Sequence, residues 1–333
     1  MPERNGVYES GLLLIPIYID PNSARYDADV SKFQGFLNRA KAASDLRIAI
    51  VDDGSALKPD QFNGVVDHMI SLSVNVGKAQ AIRSGLAALL IDPSARPGFI
   101  VQYDGDGDQA PEDTASIYNR LIEVSEGNPA KPVLVIGDRY SEGLKTAPNP
   151  ESVAYRQTLL IFFGSIARNL GFEGVRDWVS GARGYTASYA EGFLSLSRSR
   201  RYGVESEQLI IASLNGAGVT TAQLSDSRPR DPWTLTSKWL QNFEIYDAHR
   251  EGLKAIGRNN VVAMVDELEN KLRRGEDEFD LDLRALGEET TISFRRWNER
   301  AHTAHIPSDY RARVFDQNAQ FPFTLRRVAT AGS

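Results

Sequence analysis

Short apolar runs alternate with amphipathic stretches along the first half of this chain. Each run has the length of a strand and ends in polar residues, which predicts strands that are buried on both faces. The predicted strands are Leu12–Ile19, Arg47–Val51, Met69–Val74, Phe99–Tyr103 and Pro132–Ile136. Between the first two strands, the apolar residues Val30, Phe33 and Leu37 recur at helical spacing. Strands that alternate with helices predict an α/β fold with a mostly parallel sheet flanked by helices.

The second half of the chain is more mixed. Glu205–Leu214 predicts a helix, and Val219–Leu224 predicts a strand. Residues 150–172 also have a helical pattern, and their apolar cluster Leu159–Phe163 favours a buried core helix or a dimer face over a membrane-facing helix. A homodimer is therefore an alternative that the sequence leaves open.

From about residue 240 the composition shifts to charged residues that favour helices. One predicted helix there has an apolar face and stops at Gly275. The face consists of Val261, Met264, Val265, Leu268 and Leu272. The acidic run of residues 276–280 is typical of a solvated connector. We therefore divide the chain into a domain of residues 1–240 and a mainly helical C-terminal extension of residues 241–333.

Polar side chains follow strand after strand, at the point where each predicted strand ends. They are Asp20, Asp52, Asp53, Asp104, Asp106 and Arg139. Open α/β sheets bind ligands in the crevice outside the carboxyl ends of their strands. We therefore expect these side chains to line one site.

The most informative strand end is the loop Asp104–Asp108, in which three carboxylates alternate with two glycines. Gly105 and Gly107 permit a tight turn, so the carboxylates can converge on one point. Such a cluster needs a cation, and Mg²⁺ takes one or two protein carboxylates and completes its shell with water and phosphate. The loop predicts that Asp104 and Asp106 bind a divalent metal that bridges to a diphosphate. A solvated acidic turn is the alternative.

Two other motifs are excluded because required positions carry other residues. The acidic loop is not an EF-hand, because Gln109 and Ala115 stand where Gly and Glu are required. The pair Gly77-Lys78 is not part of a phosphate-binding P-loop, because Leu72 and Ala79 replace the required Gly and Ser or Thr.

Composition narrows the class of protein. An apolar content of 41% and a charged content of 25% are ordinary for a soluble globular chain. The net charge of −6 argues against a nucleic-acid partner. The absence of cysteine excludes disulfides, thiol catalysis and cysteine-based zinc sites. With no signal-peptide pattern and no membrane-spanning apolar run, we expect a cytoplasmic protein, with peripheral contact at the inner face of a membrane left open.

The order and spacing of several motifs resemble a known family. The first-half motifs are Ile15–Tyr18, Val51–Ser55, Asn75–Gly85, Asp104–Gly107, Pro111-Glu112 and Gly137–Tyr140, and the second-half motifs are Asp177–Arg183 and Tyr202–Glu205. Together they resemble the family-2 inverting glycosyltransferases over residues 10–240. The second-half motifs are most similar to the branch of polyprenyl-phosphate (dolichol-phosphate) mannose or glucose synthases.

This resemblance implies a GT-A fold, a nucleotide-diphosphate sugar donor and a Mg²⁺ or Mn²⁺ cofactor bound by Asp104 and Asp106. The residues that it places around the donor are Pro16, Tyr18, Asp20, Asp52, Asp53, Lys78, Asp104 and Arg139. It gives catalytic roles to Asp177, near the acceptor, and to Arg183, which with Arg139 would face anionic oxygens of donor or acceptor. The implied activity is metal-dependent, inverting transfer of a sugar.

The acceptor is left open between two classes. A polyprenyl phosphate is already largely ionised and needs little deprotonation. The hydroxyl of a saccharide or small molecule needs a general base, a role that Asp177 would fill. Two further alternatives are a sugar nucleotidyltransferase, which the loop after the first strand does not favour, and a non-catalytic nucleotide-sugar-binding or scaffold protein of the same fold.

Overall fold

The computed structural model describes residues 11–106, 109–139, 164, 166–168, 170–175, 177–199, 201, 203–225, 235–273, 278–282, 291–295 and 323–327. Within these ranges the strands are β1 (Gly11–Ile17), β2 (Arg47–Asp52), β3 (His68–Leu72), β4 (Phe99–Gln102), β5 (Val133–Asp138), β6 (Arg183–Thr186), β7 (Gly218–Gln223), β8 (Glu278–Asp282), β9 (Thr291–Arg295) and β10 (Phe323–Arg327). The helices are α1 (Tyr26–Ala43), α2 (Lys78–Ile91), α3 (Thr114–Ser125), α4 (Ala187–Leu196), α5 (Val204–Leu214), α6 (Leu235–Ala255) and α7 (Asn259–Arg273).

The main sheet has the strand order β10-β3-β2-β1-β4-β6-β5-β7. β1 pairs in parallel with β2 and β4, β2 pairs in parallel with β3, and β5 pairs in parallel with β7. β6 is antiparallel to both of its neighbours, and β10 is antiparallel to β3. The predicted α/β fold with a mostly parallel sheet is confirmed. The chain runs from β1 to β2 and β3 on one side of β1, and then crosses to β4 on the other side. The crevice of this sheet therefore lies between the loops after β1 and β4.

Both faces of the sheet are covered, as continuous apolar strands require. All seven residues of β1 are buried. Leu12 and Leu14 contribute to a core layer that includes α2, α4 and α5. Leu13 and Ile15 contribute to the opposite layer, which includes α1 and α3. The site loops at the carboxyl ends are therefore mounted on strands that two core layers hold in place.

The C-terminal helices belong to the first of these layers. Tyr246 and Leu253 of α6 and Val261 and Val265 of α7 are buried in the same cluster as α2. The division at residue 240 falls inside α6, and as a domain boundary it stays a prediction.

The described residues after α7 form strands, whereas α6 and α7 are helices, and a mainly helical C-terminal extension stays a prediction. β8 and β9 form an antiparallel hairpin, and β10 joins the main sheet. Phe279 and Leu281 alternate with acidic residues in β8 and lie opposite Phe294 and Ile292 of β9. This two-residue period is the signal of a strand, and the surrounding charges concealed it.

Among the described residues, no helix is long and apolar enough to cross a membrane. The apolar cluster Leu159–Phe163 of the predicted helix 150–172 lies outside the described residues.

Candidate active site

The first strand ends beside the loop that follows the second strand. Pro16 is buried within β1, whereas Tyr18 and Asp20 lie beyond the strand and are exposed, Tyr18 to 46%. The backbone here is tied across the sheet, since Ile19 N–H donates to Ser55 Oγ at 2.8 Å. The ring of Tyr18 is thus presented at the carboxyl edge of the sheet.

Asp52 and Asp53 are buried, and their carboxylates hold backbone. Asp52 accepts hydrogen bonds from two amides of its own loop at 2.7 and 3.0 Å. Asp53 accepts from the amides of Val76 and Gly77 at 2.7 and 2.9 Å. Gly77 has a φ of 93° and immediately precedes α2. Asp53 therefore joins the β2 loop to the amino end of α2.

Burial raises the pKa of both carboxyls. For Asp53, burial outweighs the hydrogen bonds from the two amides and the charge of Arg201, and it raises the pKa to about 6. For Asp52, burial outweighs the hydrogen bonds of its own loop. A contact between either carboxylate and the nucleotide-sugar donor stays a prediction, because the protein's own backbone amides donate hydrogen bonds to these carboxylates.

Lys78, the first residue of α2, lies between two carboxylates. Its Nζ is 2.7 Å from Asp104 Oδ1 and 2.5 Å from Glu205 Oε1. Burial alone would lower the pKa of Lys78, but the charges of Asp104 and Glu205 outweigh burial and raise it. Lys78 is therefore a charged ammonium. Glu205, in the first turn of α5, is the last residue of the motif Tyr202–Glu205, and the sequence predicted no role for it. The structure places it next to Lys78.

The acidic loop after β4 carries the two carboxylates that are predicted to bind a metal. Asp104 has a side chain that is 26% exposed, and Asp106 is exposed. The carboxylate of Asp104 lies so close to Gly181 that a Cβ there would overlap Asp104 Oδ2. In the part of the chain that the structure describes, no three His, Asp or Glu side chains are grouped to hold a metal. Two hard oxygen ligands still fit Mg²⁺ or Mn²⁺, because such ions take their remaining ligands from water and phosphate.

Asp177 and Arg139 form an ion pair in which the aspartate is buried and the arginine is partly exposed. Asp177 is fully buried, and its Oδ2 and Oδ1 accept from Arg139 Nε at 2.6 Å and Nη2 at 2.8 Å. The backbone N–H of Arg139 donates to the same carboxylate at 3.2 Å. This bidentate geometry fixes the planes of both groups. It favours an orienting role for Asp177, and the predicted catalytic role stays a prediction.

Arg183, the first residue of β6, is completely buried. Its Nε donates to the carbonyl of Ser180 at 2.9 Å, and its Nη2 donates to the carbonyl of Trp178. Its Nη1 has no hydrogen-bond partner among the described residues. Burial lowers the pKa of this guanidinium, opposed by nearby carboxylates, Glu205 first among them. A buried cationic nitrogen without an acceptor is unusual in proteins, and an anionic ligand would satisfy it.

Beneath the charged side chains lies a buried amide network that the sequence did not predict. Gln102 Oε1 accepts from Gln208 Nε2 at 3.0 Å and from the hydroxyl of Tyr185 at 3.3 Å. The hydroxyl of Tyr189 donates to the carbonyl of Gln208 at 2.6 Å. The network joins β4, which precedes the acidic loop, to α5, which carries Glu205. A glutamine at the end of an otherwise apolar strand was the available signal.

The structure arranges the predicted residues in three groups near the carboxyl ends of the parallel strands. The groups are Pro16, Tyr18, Asp20, Asp52 and Asp53 after β1 and β2; Lys78, Asp104 and Asp106 at α2 and β4; and Arg139, Asp177 and Arg183 after β5 and around β6. Asp53 links the first group to the second through Gly77, and Gly181 links the third to the second through Asp104.

Comparison with known proteins identifies the fold. No protein-family model matches the chain, and no curated protein sequence matches it. The mannosyl-3-phosphoglycerate synthase from Rubrobacter xylanophilus is similar in structure, with 17% identity, a TM-score of 0.50 and coverage of 75% of each chain. The glucosyl-3-phosphoglycerate synthase from Mycobacterium tuberculosis in complex with UDP has 15% identity, a TM-score of 0.49 and coverage of 73% of this chain and 79% of that chain. The likeness to the Rubrobacter xylanophilus synthase shows that this chain has the GT-A-type α/β fold that its motif order implied.

Proposed function

We propose that this protein is a divalent-metal-dependent, inverting glycosyltransferase that moves a sugar from a nucleotide-diphosphate sugar to an acceptor bearing a phosphate. The observation that carries the proposal is the contact between Lys78 and Asp104 at the carboxyl end of β4, with Asp106 exposed in the same loop. A carboxylate suited to a metal and a charged ammonium stand side by side in the crevice where an open α/β sheet binds ligands. A diphosphate can bind to both kinds of partner at once.

The donor half of the site combines these charges with the end of β1. A metal bound by Asp104 and Asp106 would supply Lewis-acid stabilisation of the charge that develops on the leaving diphosphate. Lys78 keeps its charge and is placed to contact phosphate oxygens near Asp104. The exposed ring of Tyr18 offers a face on which a nucleobase can stack.

The acceptor half is defined by two arginines. Arg139 and Arg183 lie beyond the acidic loop, and Nη1 of Arg183 can donate to one more oxygen. Two resemblances also suggest a phosphorylated acceptor. The name of the Rubrobacter xylanophilus synthase specifies a phosphoglycerate product, and the motif order resembles polyprenyl-phosphate synthases. The proposal is limited to the chemistry that these share, a phosphate group.

Asp177 bears on how the acceptor is activated. Both of its oxygens are engaged by Arg139, so the carboxylate is poorly placed to take a proton from a hydroxyl. A phosphate oxygen is ionised at neutral pH and needs little such help. The geometry therefore supports Asp177 as the residue that orients Arg139. A polyprenyl phosphate, which would react through its phosphate oxygen, is one arm of the test below. A small phosphorylated acid, which would react through a hydroxyl and use its phosphate for binding, is another.

The donor half is tested by calorimetric titration of UDP and GDP in Mn²⁺, in Mg²⁺ and in EDTA. We expect one nucleotide to bind in the presence of metal, and Asp104→Asn to weaken that binding at least about tenfold. The matched control is Asp45→Asn, an exposed aspartate at the amino end of β2, which should bind like the parent. Equal affinity in EDTA and in Mn²⁺ would contradict a metal-dependent donor site.

The acceptor half is tested by transfer from radiolabelled UDP- and GDP-hexoses. The acceptors are 3-phosphoglycerate, a short-chain polyprenyl phosphate in detergent and a neutral disaccharide. Transfer to either phosphate-bearing acceptor supports the proposal and identifies which kind of acceptor is used. Transfer to the disaccharide alone would refute the phosphate-bearing acceptor. Nucleotide binding without transfer to any of the three would favour the alternative of a non-catalytic nucleotide-sugar-binding protein.

A further inference from the structure

Lys78 already neutralises the carboxylate that the proposed function assigns to the metal. Its ammonium is 2.7 Å from Asp104 Oδ1 and 2.5 Å from Glu205 Oε1, and the Lys78 side chain is only 17% exposed. Because both oxygens contact one nitrogen, they lie within about 5 Å of each other, a range in which the charges of two carboxylates interact strongly. A second cation that approaches Asp104 must compete with this ammonium.

We propose that Lys78 is an internal counter-ion that sets the order of binding, holding Asp104 until a diphosphate offers the ammonium new oxygens. Metal alone then binds weakly, and metal together with the diphosphate binds well. This inference rests on the proposed function, since it concerns the same loop and the same ligand. Glu205 is the positioning residue, because it keeps the ammonium beside the acidic loop when Lys78 turns away from Asp104.

The surrounding contacts confine this exchange to the side chain of Lys78. The amide of Gly77 is held by Asp53 at 2.9 Å, and the amide of Ala79 donates to the carbonyl of Arg201 at 3.1 Å. The backbone on both sides of Lys78 is therefore anchored. A four-carbon side chain with rotatable bonds can still carry its charge from one oxygen to another.

The available ligands also make metal binding depend on substrate. Within the described residues, no group of three His, Asp or Glu side chains is arranged for a metal. Glu205 lies near enough to join Asp104, yet Lys78 stands between them. Removing the ammonium should leave two adjacent carboxylates, those of Asp104 and Glu205, without a counter-charge. Two such carboxylates attract a divalent ion more strongly than a carboxylate that an ammonium already neutralises.

The test measures binding of Mn²⁺ alone, from the paramagnetic resonance signal of the unbound ion. We expect Lys78→Met to bind Mn²⁺ at least about tenfold more tightly than the parent without nucleotide, because it removes the competing charge. The control is Lys131→Met, which changes the net charge by the same amount just before the amino end of β5 and should match the parent. Glu205→Gln should bind Mn²⁺ no more tightly than the parent, because Lys78 then has Asp104 as its remaining carboxylate partner.

A second measurement adds saturating UDP or GDP, whichever binds the parent. We expect the nucleotide to raise the Mn²⁺ affinity of the parent by a larger factor than that of Lys78→Met. Only in the parent does the nucleotide also draw an ammonium away from Asp104, and this coupling between the two ligands is reciprocal. If Lys78→Met does not melt like the parent, Lys78→Gln replaces it with the same expected direction.

The outcomes separate this inference from the proposed function. Mn²⁺ binding to the Lys78 variant that is no tighter than to the parent, including no binding to either, overturns the counter-ion role even if nucleotide binding is metal-dependent. Tighter Mn²⁺ binding to that variant, in a protein that binds neither nucleotide, supports the counter-ion role and refutes the nucleotide-diphosphate donor.

Discussion

The buried carboxyl of Asp53 predicts an unusual dependence of stability on pH. Burial raises its pKa from 3.8 to about 6 in the folded protein. The folded state therefore binds a proton more tightly than the unfolded state does. The resulting contribution to stability is fully present below about pH 4 and is lost as the pH rises through about 6.

The magnitude follows from the size of the shift. One pKa unit corresponds to about 1.4 kcal/mol, so the full contribution of Asp53 is about 3 kcal/mol. Between pH 4.5 and 7.5, about 2 kcal/mol of this should disappear, because the unfolded carboxyl is already mostly ionised at pH 4.5. Most carboxylates change stability in the opposite direction, so the effect must be read as a difference between proteins.

The assay is urea unfolding of the parent and of Asp53→Asn at several pH values between 4.5 and 7.5. We expect the free energy of unfolding of the parent, minus that of the variant, to fall by about 2 kcal/mol across this range. The matched control is the exposed Asp45→Asn, for which the difference from the parent should not vary with pH by a comparable amount. A difference for Asp53→Asn that is flat, or that rises with pH, would refute the argument from burial.

Two further predictions concern the loops around Asp104. Replacing Asp177 with Asn removes the carboxylate that binds Arg139 at 2.6 and 2.8 Å, so the free energy of unfolding in urea should fall by about 3 kcal/mol; unchanged stability with a large loss of kcat would instead support a general base. Replacing Gly181 with Ala places a methyl group against the Asp104 carboxylate, so metal-dependent nucleotide binding measured by calorimetry should weaken about tenfold to hundredfold. The control Gly35→Ala, in α1 with no atom near its added methyl group, should bind normally, and equal binding by both variants would contradict the role of Gly181.

The strands that carry the site were predictable where burial alone decides the pattern. β1 to β5 are apolar runs covered on both faces, and the predicted bounds lie close to the observed ones. β6 was not predicted, because Arg183–Thr186 has neither an apolar run nor an apolar alternation. Its four residues are buried, and β4 and β5 pair with it from both sides. That environment comes from tertiary structure and leaves no local pattern in the sequence.

The same limit applies to the partners of the charged residues. The position of Lys78 after a strand and at the start of a helix was visible, but its contact with Glu205 spans 127 positions. The contact between Arg139 and Asp177 spans 38 positions. Residue types and strand ends indicate where charges gather. Only the packing of α5 and of the loop before β6 determines which charges pair, and this pairing changes the role expected for Asp177.

The pairing of β10 with β3 has a consequence for how the chain is made. β10 (Phe323–Arg327) covers the edge of a strand, His68–Leu72, that a ribosome would complete about 250 residues earlier, and such distant pairings form slowly. Until β10 arrives, β3 presents a row of backbone N–H and C=O groups that another chain can pair with. Nascent or truncated chains that lack residues 323–327 are therefore expected to associate through this edge, and completion of the sheet protects the finished protein from that association.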